Sequence, residues 1–187
     1  MTSFKSALIA TTLVLAGCGG PADLYSVNAP AVSDQISIAF NSVEVRDVSL
    51  PAYAAADEIA IEAAGGVLLT DSDVRWADNP ARAVSLELTR HLVQLSGKRI
   101  ASEPWPFEDF PEAQVEVRFE SLIARSNGTY HATGQFFVSS DIDENDDFGL
   151  FDLTVPYNVA GGPSAIAEAR GQLVLDLAEL IAREGLR

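Results

Sequence analysis

Asn127-Gly128 separates two runs that each alternate apolar and polar residues, and no other feature of the chain restricts its fold as much. In the first run Val115, Val117, Phe119 and Ile123 share one side, with Glu116, Arg118 and Glu120 on the other. The second run, residues 130–138, begins two residues after the turn. An Asn-Gly pair between such runs predicts a β-hairpin, because these residues tolerate the backbone of a tight turn. The charged side predicts a sheet covered on one face only.

Other segments fall into place around that hairpin. Ile36, Ile38 and Phe40 alternate before the parity slips to Val43 and Val45, which predicts one long strand with a bulge. Ile59 and Ile61, then Val67 and Leu69, flank Gly65-Gly66 and predict a second hairpin. Phe151, Leu153 and Val155 predict a late strand. Asp78-Asn79-Pro80 opens a helix, with a capping side chain followed by proline where a missing N–H costs nothing. Gly97 closes it. Its main stripe is Ala81, Val84, Leu88, Leu92 and Leu95, and Leu86 and Val93 lie opposite. That second stripe is covered either by another layer of the same domain or by a second subunit, so the chain is expected to form a homo-oligomer or a thicker domain. A last helix, about 163–184, aligns Ile166, Leu173, Leu177, Leu180 and Ile181. The order strands, helix, strands, helix predicts a single α/β sandwich over residues 35–187, with a mixed, mostly antiparallel sheet packed by two main helices.

The N-terminus reads as an export signal. Lys5 precedes an apolar run over residues 7–16 that is too short to span a bilayer, and small residues close it. Leu15-Ala16-Gly17-Cys18 has the order of the bacterial lipobox, so residues 1–17 read as a signal peptide and Cys18 as the site of lipid attachment. Acyl chains on Cys18 anchor a protein without a transmembrane helix. Residues 19–34 are small, polar and broken by proline, and read as a tether in which Tyr25 could start an edge strand. Fully extended at about 3.3 Å per residue, that tether reaches roughly 50 Å. The formal net charge of −15 disfavours nucleic acid and offers no basic patch for anionic headgroups.

Enzyme signatures are missing: there is no Gly-x-Ser-x-Gly, His-Glu-x-x-His, Walker loop or Gly-rich dinucleotide turn. No cofactor is expected. His91 lies on the apolar side of its helix and reads as a core histidine bonded to backbone, the alternative being a buried base or metal ligand. His131 follows the hairpin turn and reads as solvated. Asp141, Asp143, Asn145, Asp147 and Asp152 set oxygen ligands at calcium-loop spacing, yet Asp146 stands where the sharp turn needs glycine. The segment reads as a solvated connector, with a weak divalent-ion site as the alternative. Trp105, Phe107 and Phe110 sit among prolines in a loop and either pack over the sheet or contact a partner or lipid.

Several landmarks in order resemble one family, the auxiliary lipoproteins of ABC-type transport systems, of the paraquat-inducible protein C type (membrane integrity-associated transporter subunits). They are Cys18, Tyr25-Ser26-Val27, Ile59-Ala60-Ile61, Val74-Arg75-Trp76-Ala77 before the first long helix, Val117-Arg118-Phe119-Glu120, and the alanines and leucines of residues 167–182. The resemblance implies a periplasmic α/β domain held at the outer membrane, beside a mammalian-cell-entry (MCE) domain protein and its ABC permease and ATPase. Gly19 after the cysteine, instead of aspartate, fits that sorting. The resemblance carries over no known catalytic residues. Trp76, with Arg75, is the landmark carried over, as a ring that pins the hairpin onto the helix or, in the alternative, touches a ligand. The acidic segment departs from the family's pattern.

Overall fold

The structure is a computed structural model that describes residues 21–140 and 146–187. Among the described residues the elements run β1 (Asp23–Tyr25), β2 (Ser42–Val45), α1 (Ala52–Ala55), β3 (Ile61–Glu62), β4 (Leu68–Leu69), β5 (Val74–Trp76), α2 (Pro80–Ser96), β6 (Arg99–Ser102), β7 (Ala113–Arg125), β8 (Thr129–Ser139), β9 (Asp147–Pro156) and α3 (Gly162–Glu184).

β7 organises the main sheet. One edge carries β8 antiparallel, and β8 carries β9 antiparallel. The other edge is shared: β2 pairs parallel with its first residues (Val43 with Ala113) and β3 parallel with its last (Ile61 with Ala124). β6 extends β2 in parallel and β4 extends β3 as the Gly65-Gly66 hairpin. The long ladders are antiparallel and the parallel ones short, so the mixed α/β sandwich expected from the sequence is the fold observed. A second sheet of β1 and β5 runs parallel, with Tyr25 opposite Trp76.

The central hairpin turns through three residues. Arg125 pairs with Thr129, Gly128 takes φ 85°, and its N–H donates to the Arg125 carbonyl at 3.0 Å. This is the three-residue loop in which a left-handed glycine completes the turn. Asn127 Oδ1 accepts from the Thr129 hydroxyl at 2.7 Å. Between Phe119 and Ser121 the register shifts by a bulge at Glu120. The bulge corrects the expected alternation: Leu122 and Ala124 continue the core side, and Ile123 crosses to the opposite face, opposite His131.

Residues 36–40 are not the first half of a long strand. The Ile36 N–H donates to the Leu95 carbonyl and that of Ala39 to the Leu186 carbonyl, both at 2.7 Å. The segment therefore crosses the C-terminal end of α2, where it satisfies a carbonyl that the helix end leaves open, and the residues that follow α3. Ile36 and Ile38 are buried, so their alternation records one-sided burial and not sheet membership.

α2 is bounded as its sequence dictates. Asn79 Oδ1 accepts from the Arg82 N–H at 3.1 Å, Pro80 occupies the first turn, and Gly97 ends the helix at φ 67°. α2 and α3 form one layer over the inner face of the sheet, where Leu88, Leu92, Leu173, Leu177 and Ile181 are fully buried. Val43, Val45, Val115, Val117 and Phe136 meet them from the strands. Gly134 is required here: a Cβ would lie 2.2 Å from the Arg118 carbonyl and 2.6 Å from the Phe151 ring, which packs edge-on to Phe119.

The chain joins this fold earlier than residue 35. β1 is hydrogen-bonded to β5, and Val27 and Val32 pack against the core. Residues 23–32, expected to be part of a tether, are thus packed onto the domain. The reason lies in Trp76, whose strand needs a partner and whose ring needs cover.

Candidate functional site

The N-terminal strand, α2 and α3 converge on Trp76. The Ala77 N–H donates to the Tyr25 carbonyl at 2.9 Å, and the Trp76 N–H to that of Asp57 at 2.8 Å. These bonds fix the indole under α3, where it is 8% exposed. The Arg170 guanidinium lies 4.3 Å from the ring centroid, and Arg170 Nη2 donates to Glu87 Oε1 on α2 at 2.7 Å. Trp76 therefore meets α3 through Arg170, which in turn is bonded to α2.

The ion pair is out of water: the Arg170 side chain is 3% exposed and that of Glu87 13%. Burial raises the Glu87 carboxyl above its ordinary value, opposed by attraction to Arg170. Arg170 Nε and Glu87 Oε2 are buried with no partner among the described residues. A cavity of about 240 Å³ opens beside them, lined by Tyr25, Ser26, Trp76, Leu86, Arg90 and Arg170. Its lining is mixed, with Ser26, Arg90 and Arg170 beside Trp76 and Leu86. Tyr130 lies against the far side of Arg170 in a second, smaller cavity, and burial holds its hydroxyl proton well above the usual tyrosine range. The arrangement staples α2 and α3 beside a small cavity.

The N-terminal strap closes the site. A Cβ on Gly171 would lie 2.9 Å from Val27 Cγ1 and 3.0 Å from the Asn28 carbonyl, so the residue after Arg170 is bare where the strap crosses α3.

The residues singled out in the sequence disperse. Arg75 pairs with Glu58 at 3.5 Å and donates to the Ser72 carbonyl at 2.8 Å, which fixes the turn before β5 and leaves the cavity to Trp76. Leu86 is 38% exposed at the cavity rim, whereas Val93 packs against the core. The two do not form a common exposed stripe. Trp105 and Phe107 stack edge-on at 4.9 Å with Arg99 over both rings, and Phe110 is 90% exposed. The Trp105 N–H donates to the buried Glu44, so the loop folds over the outer side of β2.

Both histidines depart from expectation. His91 is fully buried, and neither ring nitrogen has a hydrogen-bond partner among the described residues. Burial lowers its pKa, helped by the charge of Arg90. His131 is buried rather than solvated, with Nε2 2.9 Å from Asp152 Oδ1. Asp147 and Asp152 lie five positions apart on β9, so they face opposite sides of the sheet, about 17 Å apart at ~3.4 Å per residue. They cannot serve one calcium loop. Cys18, Asp141, Asp143 and Asn145 lie outside the described residues. Among the described residues no three His, Cys, Asp or Glu side chains converge as a metal site.

Glu87, Tyr130 and Arg170 escape a motif search because no motif contains them. One signal was available. Arg170 follows Ile166 by four and precedes Leu173 by three, so a charge sits on the apolar stripe of α3 and demands a buried partner.

Fold and site define a two-layer α/β domain stapled by a buried ion pair under an N-terminal strap. A structure of an uncharacterised protein aligns with a TM-score of 0.68 at 17% identity, over 86% of this chain and 98% of its own. A protein from Xanthomonas campestris described by the family DUF330 aligns with a TM-score of 0.63 at 13% identity, over 86% and 93%. Comparison with curated proteins finds no match. The chain belongs to the family of ABC-type transport auxiliary lipoprotein components, whose family model matches residues 25–182.

Proposed function

We propose that this chain is a lipid-anchored periplasmic accessory subunit of an ABC/MCE-type envelope lipid transport system, held at the outer membrane and acting by docking and assembly, not catalysis. The family match carries this reading, because it spans the domain from the end of β1 nearly to the end of α3. Cys18 supplies the anchor. Phe110, 90% exposed on a loop that Trp105 and Arg99 hold in place, is the contact offered to the MCE-domain partner. Exposed aromatic side chains on a braced loop favour interfaces, since little conformational freedom is lost on binding.

A photo-crosslinking residue at position 110 of the full-length, acylated protein tests the docking. Adducts formed in intact cells are expected to contain an MCE-domain protein. Adducts without one, with acylation intact, would remove the docking reading.

The second reading is a stand-alone envelope lipoprotein that binds a ligand, and the cavity beside Arg170 favours it. At about 240 Å³ that cavity is smaller than the roughly 300–1,000 Å³ of ordinary small-molecule sites. Its charged lining also suits an acyl chain poorly, so accessory docking is preferred.

A further inference from the structure

The chain enters the fold beside an uncovered apolar hairpin. Val67, Leu68 and Leu69 are 56%, 42% and 55% exposed, and Leu24 on β1 is 64% exposed. The hairpin is closed by the Ala63 N–H donating to the Val67 carbonyl at 2.8 Å. At its tip Gly65 and Gly66 both take positive φ, and a Cβ on either would meet nothing within 4 Å. The tip therefore stands clear of the rest of the described protein.

Its neighbour is the point where the N-terminal strap begins. β4 ends at Leu69, a short turn follows, and the Asp73 carbonyl accepts from the Asp23 N–H at 2.7 Å. Asp23 is paired with Val74 and Leu24 with Arg75. Asp23 also stands five positions after Cys18, a span of about 18 Å at most at 3.3–3.6 Å per residue. A lipid on Cys18 thus holds this end of the domain against the bilayer.

We propose that the β3–β4 hairpin, together with Leu24, is a membrane foot whose Val67, Leu68 and Leu69 enter the bilayer that carries the acyl chains of Cys18. The proposal rests on the lipid-anchor reading of Cys18. The foot orients the domain and leaves the other end of the sheet toward the periplasm. Its occupant is a lipid surface because Val67, Leu68 and Leu69 are consecutive, aliphatic and exposed, and because the exposed Leu24 stands six positions after Cys18. The nearby cations are already engaged: Arg125 pairs with Glu62 at 3.0 Å and Arg75 with Glu58 at 3.5 Å. Attraction to anionic headgroups is therefore not the source of binding. The anchor raises the local concentration, and the apolar tip does the rest.

The test uses full-length acylated protein on phosphatidylcholine vesicles. Cys18 is the only cysteine in the sequence, so Leu68→Cys provides a single free thiol for an environment-sensitive fluorophore. Phe148→Cys is the control: Phe148 is 73% exposed and pairs with Phe137 opposite Glu116, about 30 Å from Arg125 along the sheet at ~3.4 Å per residue. Nitroxide-labelled lipid is expected to quench the label at position 68 several-fold more than the label at 148, with a blue-shifted emission only at 68. Protein that fails to float with the vesicles overturns the anchor and the foot together. Protein that floats while the label at 68 stays as exposed as in solution, or is quenched equally with 148, overturns the foot alone.

Discussion

The guanidinium of Arg170 lies 4.3 Å from the centroid of the Trp76 ring, so the last helix is clamped to the strand that leads into α2. Glu87 completes the clamp, and the pair is nearly dry. Removing one partner strands a charge in that environment. Arg170→Met is expected to destabilise the domain by about 3–5 kcal/mol, and the double variant Arg170→Met, Glu87→Leu to recover most of that loss. Urea unfolding of the single and double variants measures both. Equal losses in the two would show that packing on Trp76, and not charge pairing, dominates.

The strap depends on Gly171. A methyl group there would lie 2.9 Å from Val27 Cγ1, which must shift, and 3.0 Å from the Asn28 carbonyl oxygen, a tight contact. Gly171→Ala is expected to lift residues 25–28 off α3 and weaken the bond from the Ala77 N–H to the Tyr25 carbonyl. Helix propensity alone favours alanine over glycine by about 1 kcal/mol, so a loss of stability here isolates the strap contact. Amide exchange at Ala77 is the direct readout, expected to accelerate while exchange in β7 and β8 holds.

Legibility in the sequence followed the range of the interactions. The Asn127-Gly128 hairpin, both long helices and the Gly65-Gly66 turn are encoded by neighbours in sequence, and each formed where its residues indicated. The bulge at Glu120 was hidden, because alternation on either side of one extra residue looks like a single strand with an odd residue. The strap was hidden for another reason. Residues 23–32 look like a tether until Trp76, fifty positions later, supplies a strand to pair with. The ion pair of Glu87 and Arg170 joins two helices 83 positions apart and has no local pattern beyond a charge on an apolar stripe.

His91 makes stability depend on pH. Its folded-state pKa is lowered by burial, so the unfolded chain binds a proton first as pH falls below about 6.5. Stability is then full above that value and declines toward lower pH, by up to about 1.4 kcal/mol per pH unit, until the folded state also titrates. His91→Leu removes this dependence together with the two unpartnered ring nitrogens of that side chain. Chemical denaturation at pH 7.5 and 5.5 is expected to show a smaller difference for His91→Leu than for the parent chain. An unchanged difference would assign the acid sensitivity to other groups.

The bulge sets which face of β7 carries the core beyond Phe119. Deleting Glu120 would restore plain alternation and turn every later side chain of the strand over. Leu122 and Ala124, now buried against the helices, would point outward, while Ile123 would point inward. Tyr130 and Ala132, their partners on β8, would face the wrong residues. The deletion is expected to abolish cooperative folding, since exposing a buried leucine and repacking its neighbours costs several kcal/mol. Glu120→Ala keeps the extra residue and loses only its bond from Gln135, so it should stay within about 0.5 kcal/mol of the parent. Near-ultraviolet circular dichroism and urea unfolding distinguish the two. A deletion variant with native spectra would mean that the register of β7 and β8 is set by the turn alone.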